Sequence, residues 1–216
     1  MLPLLSTSIL DTLKILMIGN MLTYSNQMPA TFQDMMHAQE RYVIIDSIFI
    51  PEGDVECAIL NHLYMGKADC SNEFVQKHKV WSKGNSDYSR FVSLCKGYDV
   101  VYLQSNRMDE PILYDIILSI DQVIDKDAVI ILFQNFSKNI SDENARRKEL
   151  DKQLNYYQQH NKSEKIILLS IGDFFDIFSF SDPSMVLDKT GKPTKEGSDM
   201  IAQALFEIVR PYIYWL

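Results

Sequence analysis

The residues with the clearest bearing on chemistry lie directly after an apolar run near the start of the chain. Residues 15–18 are all apolar, and a Gly19-Asn20 pair follows them before a helical pattern begins. Met21 therefore stands just past the end of a predicted strand, where ligands bind in open α/β sheets. Its thioether has no proton to give to a base, so it cannot act as a covalent nucleophile. The nearest hydroxyl groups belong to Thr23 and Ser25, which we expect to point away from the turn.

A second polar segment, residues 188–198, precedes the last helical pattern of the chain. It holds the cations Lys189 and Lys192 and one carboxylate, Asp188. The reference pKa of lysine is about 10.4, so a lysine is a poor base near neutral pH unless it is strongly desolvated.

No metal site or nucleotide cofactor is indicated by the sequence. None of the four histidines has a second metal-ligand type at helical spacing that makes a convincing site, and no glycine-rich dinucleotide or phosphate-binding motif occurs. We therefore predict a protein without metal or cofactor.

Five short apolar runs alternate with amphipathic helical patterns. This alternation predicts an α/β fold, a three-layer α/β/α domain with about five parallel strands, flavodoxin-like in outline. Residues 1–216 are expected to form one domain, and residues 65–87, the least regular part, an insertion or a long loop. Strands are predicted at 14–18, 42–50, 98–104, 128–134 and 165–170, and helices at 111–124, 141–160 and 194–209.

Composition excludes several classes of function. The formal net charge of −8 argues against nucleic-acid binding, which needs a basic face. No apolar run reaches the length of a membrane span. The cysteines, Cys57, Cys70 and Cys95, match no zinc spacing, so we expect reduced thiols and a cytoplasmic location.

Several blocks of this sequence resemble the GDSL/SGNH hydrolases. Gly19-Asn20-Met21-Leu22-Thr23 is similar to the first block of that family, in which a strand ends in Gly-Asp/Asn-Ser-Leu/Phe-Thr and the Ser is the nucleophile. Gly53 resembles the turn glycine whose N–H helps to form the oxyanion hole, and Asn135 is a loose match to the Asn block. Residues 98–105 look like the Trp/Tyr-Asp-x-Val-Val-x-Leu-Gln strand of one bacterial branch.

The same resemblance implies that the catalytic residues are missing. Active members end in Asp-x-x-His-Pro-Ser/Thr-x-x-Gly before an amphipathic helix. Here Lys192 stands at the His position and Lys189 at the Asp position, while Asp188 is one residue out of register. With Met21 at the Ser position, the resemblance implies an SGNH scaffold whose nucleophile and base are both absent.

We therefore expect a catalytically inactive SGNH-hydrolase-like protein that acts as a subunit or adaptor in a protein assembly, with other protein subunits as partners. The aromatic C-terminal residues Tyr212, Tyr214 and Trp215 are candidate contacts, because such clusters often anchor interfaces. The alternative is that both apolar chain ends pack on their own domain.

The sequence is also compatible with two other functions. One is a diverged but active esterase or acyl hydrolase that uses Thr23 or Ser25 as its nucleophile. The other is a small-molecule sensor that keeps the old pocket, where Gly53 and Asn135 would offer hydrogen bonds.

Overall fold

The computed structural model describes residues 12–51, 54–105, 111–134, 166–170, 183–190 and 192–213. Within them a five-stranded, all-parallel sheet has the strand order β2-β1-β3-β4-β5. The strands are β1 Leu13–Gly19, β2 Val43–Phe49, β3 Val100–Ser105, β4 Val129–Gln134 and β5 Ile166–Ser170. All five predicted strands are confirmed within two residues at each end.

Helices cover both faces of this sheet. They are α1 Met21–Tyr24, α2 Met28–His37, α3 Val55–Leu63, α4 Asn72–Lys77, α5 Tyr88–Cys95, α6 Pro111–Val123 and α7 Lys195–Ile213. The predicted helix at 111–124 is confirmed, and the one at 194–209 extends further than expected. The predicted helix at 141–160 lies outside the described residues.

Alternate residues of each strand supply two separate hydrophobic cores. In β1, Leu16 and Ile18 pack with α3, α5 and α6, whereas Ile15 and Met17 pack with α2 and α7. A strand that is buried on both faces must be apolar at nearly every position, as β1 is. The three-layer α/β/α architecture is therefore confirmed.

The irregular region 65–87 is better ordered than its sequence indicates. It contains α4, and Trp81 within it is only 1% exposed, packed in the core that lies under α3, α5 and α6. Because charged residues and glycines interrupt this region, its apolar residues show no periodic pattern that would predict the packing.

The prediction of three reduced thiols is wrong. Cys57 in α3 and Cys70 before α4 form a disulfide with their Cα atoms 5.3 Å apart, and Cys95 is free and buried. Burial raises the pKa of the Cys95 thiol to about 12. The two paired residues meet because the chain turns back after α3, which spacing alone could not show. The cytoplasmic prediction thereby loses its premise, since disulfides persist mainly in oxidising compartments.

Among the described residues, none of the helices combines the length and the apolar character that crossing a bilayer requires.

Candidate functional site

The turn after β1 is fixed to the neighbouring strand β3 by Asn20 and Gln104. Asn20 is extended and caps α1, its side-chain Oδ1 accepting a hydrogen bond from the Leu22 N–H at 3.0 Å. The backbone N–H of Asn20 donates to Oε1 of Gln104 at 2.8 Å. Both side chains are buried. The position of the next residue, Met21, is therefore held from two sides.

Met21 is the first residue of α1, at the carboxyl end of β1, and is half-buried. The structure thus places it where an open α/β sheet binds ligands, as its sequence position predicts. Its thioether supplies apolar surface there and no ionisable proton.

Thr23 is enclosed behind the turn. Its side chain is 0% exposed, with Oγ1 at 3.4 Å from Oε1 of Gln104 and 3.5 Å from the hydroxyl of Tyr102. Burial raises the pKa of Tyr102 well above its ordinary value, so that hydroxyl stays protonated. Gly19 allows this arrangement, because a Cβ at Gly19 would meet Oγ1 of Thr23 at 2.6 Å. A threonine with these contacts cannot reach a substrate without leaving them.

The hydroxyl of Ser25 is also engaged. Its Oγ donates to the backbone carbonyl of Met21 at 2.6 Å. The described histidines belong to other elements: His37 and His62 lie in the last turns of α2 and α3, and His78 follows α4. Among the described residues, no base is hydrogen-bonded to either hydroxyl near the turn.

The segment that resembles the last catalytic block forms a short hairpin next to this turn. The N–H of Asp188 donates to the carbonyl of Lys192 at 2.8 Å, and Leu187 and Pro193 form an antiparallel bridge. Asn26 joins the two blocks directly. Its Nδ2 donates to the Pro193 carbonyl at 2.9 Å, and also to the hydroxyl of Ser198 at 3.1 Å. The fold therefore brings together chain segments that lie more than 160 residues apart in the sequence.

The charged residues of this hairpin are not arranged for proton transfer. Oδ1 of Asp188 accepts from the N–H and the hydroxyl of Thr190 and from the N–H of Lys192, at 2.7, 2.6 and 3.0 Å. These hydrogen bonds, the Thr190 hydroxyl first, lower the pKa of Asp188. The carboxylate stabilises its own turn, while the side chains of Lys189 and Lys192 are exposed.

Several predicted site residues lie outside the described residues: Gly53, Asn135, Tyr214 and Trp215. Tyr212 is in the last turn of α7, where the backbone is described. Their proposed roles stay predictions.

Sequence reasoning missed the polar contacts that hold the turn: the buried ones of Tyr102 and Gln104, and the partly buried one between Asn26 and Ser198. One signal for Gln104 was present, since a polar residue at the end of an otherwise apolar strand faces the site edge of a parallel sheet. Among the described residues there is no group of three or more His, Cys, Asp or Glu side chains that could hold a metal ion.

This chain is similar to known proteins in structure but not in sequence. No protein-family model matches the chain, and no curated protein matches it. An acetylxylan esterase from Geobacillus stearothermophilus, Axe2, is similar with a TM-score of 0.60 at 13% identity, over 92% of this chain and 93% of that one. A lipase/acylhydrolase from Enterococcus faecalis has a TM-score of 0.58 at 13% identity, over 92% and 96% of the two chains.

A third similar structure is a DUF4886 family protein from Bacteroides uniformis. Its TM-score is 0.55 at 13% identity, over 91% of this chain and 82% of that one. Likeness at this identity shows the fold and not the activity. Together with the parallel sheet and its two helical layers, these matches show that the chain has an SGNH/GDSL-hydrolase-like fold.

Proposed function

We propose that this chain is a catalytically inactive SGNH-hydrolase-like protein that acts as a subunit or adaptor in a protein assembly. The observation that carries the proposal is the residue at the carboxyl end of β1. By the resemblance of residues 19–23 to the first block of the family, Met21 stands at the position of the nucleophile, and a thioether can neither lose a proton nor form an acyl-enzyme.

The surroundings of Met21 support the same proposal. Acyl transfer by a hydroxyl needs a base to accept its proton and an acid to orient that base. In the adjacent hairpin Lys192 is exposed, and the carboxylate of Asp188 is engaged by its own turn. Neither residue is arranged as a base or as the residue that orients one.

The alternative of an active esterase draws on the similar structures, two of which are described as an acetylxylan esterase and a lipase/acylhydrolase. It requires Thr23 or Ser25 as the nucleophile. Thr23 would have to leave a fully buried site, and Ser25 would have to give up its hydrogen bond to the Met21 carbonyl. Both changes would break contacts that the folded chain makes. An inactive protein is therefore better supported than an active esterase.

A fluorophosphonate probe tests the proposal, because it labels only an activated serine or threonine. We expect no labelling of the wild-type chain and no turnover of p-nitrophenyl acetate above buffer. Ser25→Ala and Thr23→Val are the matched controls, since each removes one hydroxyl. Labelling of the wild type that disappears in one of these variants would show a rearranged nucleophile and an active enzyme.

The assembly role is supported by exposed apolar side chains along one edge of the described sheet. Beside and within β2, the last strand on this side, Tyr42 is 60% exposed, Ile44 48% and Phe49 44%. Outer strands with exposed apolar side chains are common places for contact with another chain.

Size-exclusion chromatography of native extracts from the source cells tests the assembly role. We expect the chain to elute well above its own mass of 25.0 kDa. Ile44→Lys should shift it toward 25.0 kDa, whereas Met65→Lys, which changes an 85% exposed residue away from β2, should not. Elution of the wild type at its own mass would contradict the assembly role.

A further inference from the structure

The Cys57–Cys70 disulfide joins a buried helix to an exposed stretch of chain. Cys57 is 4% exposed and packs in the core with α3, whereas Cys70 is exposed. The two cysteines have a sequence separation of 13, and the chain between them holds the end of α3 and a turn in which Met65 and Gly66 both have positive φ. The disulfide therefore closes a loop whose outer part faces solvent.

Noncovalent contacts hold the two ends of the exposed stretch. The rings of Tyr64, Phe74 and His78 pack against one another, with Phe74 stacked on His78 at 4.0 Å. The hydroxyl of Tyr64 donates to Asp87 at 2.8 Å, and Arg90 donates to the carbonyl of Leu63. These contacts anchor the chain on both sides of residues 65–73.

Between those anchors the stretch has little buried surface. Within 65–73 only Ala68 is partly buried against the core, and the other side chains are exposed. Asp69 accepts hydrogen bonds from the N–H and the hydroxyl of Ser71, which are contacts within the stretch itself. Backbone hydrogen bonds hold Gly66 to the end of α3 and Ser71 to α4, from the Gly66 N–H to the Asn61 carbonyl at 2.8 Å and from the Val75 N–H to the Ser71 carbonyl at 3.0 Å. Between these two points, Ala68 and the bond at Cys70 are the contacts with the core that the described residues show.

The two sulfur atoms differ in how they respond to a thiol. Cys70 is an exposed residue, whereas Cys57 is 4% exposed and packs in the core. An incoming thiolate therefore reaches the sulfur of Cys70 more readily than that of Cys57, so access sets the order of attack.

We infer that Cys57–Cys70 is a thiol-reducible clasp that holds residues 65–73 against α3 and releases them on reduction. A thiolate of a dithiol reductant attacks Sγ of Cys70, the Cys70–Cys57 bond breaks, and Cys57 leaves as a thiolate. The second thiolate of the reductant then displaces Cys70 and closes the disulfide of the reductant. Two electrons pass to the protein, and its two cysteines end as thiols after taking up two protons. This device does not depend on whether the proposed function is right.

Thiol counting tests the pairing. The variant Cys95→Ala leaves the pair intact. After equilibration with oxidised glutathione, we expect that alkylation of the denatured variant modifies no cysteine. After treatment with dithiothreitol, we expect it to modify two. Two alkylated cysteines in oxidised glutathione would overturn the clasp. When reduced glutathione is the reductant, the trapped mixed disulfide should map to Cys70 by mass spectrometry, and its location on Cys57 alone would overturn the order of attack.

Cleavage at Lys67 by a lysine-specific protease tests the release, since Lys67 is exposed within the stretch. We expect reduction of the folded protein to speed this cleavage by about tenfold or more, because release raises the population of open conformations. Cleavage at Lys126, which lies in the turn between α6 and β4, should keep its rate. Equal rates at Lys67 before and after reduction would overturn the release, and this comparison needs only the wild-type chain. In Cys57→Ala/Cys70→Ala the rate should match that of the reduced wild type.

Discussion

Gly197→Ala is expected to destabilise the protein, although helix propensity alone predicts the opposite. Gly197 is the third residue of α7, where alanine normally improves a helix by about 1 kcal/mol. In the structure a Cβ at this position would lie 2.1 Å from the carbonyl oxygen of Val186 and 3.0 Å from its carbonyl carbon. Both are backbone atoms, so no side-chain rotation can relieve the contact.

The magnitude follows from what holds Val186. Because Cβ contacts under 3.0 Å essentially never occur, the backbone at Val186 has to move by about 1 Å. That carbonyl accepts a hydrogen bond from the N–H of Thr194 at 3.0 Å, and the Val186 side chain is 4% exposed. Losing the bond costs about 1 kcal/mol, and displacing packed residues costs about 1–3 kcal/mol. After the gain in helix propensity, the net loss is about 2 kcal/mol.

Thermal unfolding followed by circular dichroism measures this loss. For a chain of this size about 2 kcal/mol corresponds to a fall in Tm of roughly 4–8 °C. Gly84→Ala is the matched control: no atom lies within 4 Å of the point that a Cβ at Gly84 would occupy, so its stability should change by less than about 0.5 kcal/mol. A Tm for Gly197→Ala at or above the wild-type value would refute the close approach of α7 to Val186.

Three further outcomes are expected. Gly19→Ala should lower the free energy of unfolding by about 1–3 kcal/mol in urea titrations, because its Cβ would meet Oγ1 of Thr23 at 2.6 Å. Asn26→Ala loses two hydrogen bonds to the last block and places alanine at φ 50°, so it should be about 1 kcal/mol less stable than Asn26→Gly, which loses the same bonds without strain. In Thr190→Ala the pKa of Asp188 should rise toward its ordinary value of 3.8, as measured by NMR titration. In the wild type, the lowered pKa of Asp188 stabilises the folded protein above pH 3.8. This stabilisation is lost as the pH falls through the folded-state pKa.

The sheet could be predicted from the sequence because its physical signal is local. A strand buried on both faces must be apolar at successive positions, and five such runs separated by amphipathic helices admit few topologies. The predicted helix ended at residue 209, whereas α7 continues to Ile213 with Pro211 inside it. A proline removes one hydrogen-bond donor, which neighbouring packing can tolerate.

Only those features of the candidate site that depend on neighbouring residues in the sequence could be predicted. Met21 was placed correctly, because a residue that follows a strand must lie at the sheet edge. The engagement of Thr23 with Tyr102 and Gln104 depends on the pairing of β1 with β3, which spans about 80 residues. The Cys57–Cys70 pair likewise depends on how the chain turns after α3. Contacts of this kind have no periodic signature in a single sequence.

The residues that resemble a hydrolase motif fall into two groups with different physical causes. Gly19 and Gly197 are required by close approaches of backbone and side chain, and Asn26 joins the first and last blocks by hydrogen bonds. In this chain these contacts serve packing and do not need a reaction to explain them. By the sequence resemblance alone, Met21 and Lys192 stand where the family has its nucleophile and its base; Met21 is half-buried and Lys192 is exposed. This division agrees with our proposal of an inactive scaffold, because packing constraints act on a fold whatever its function.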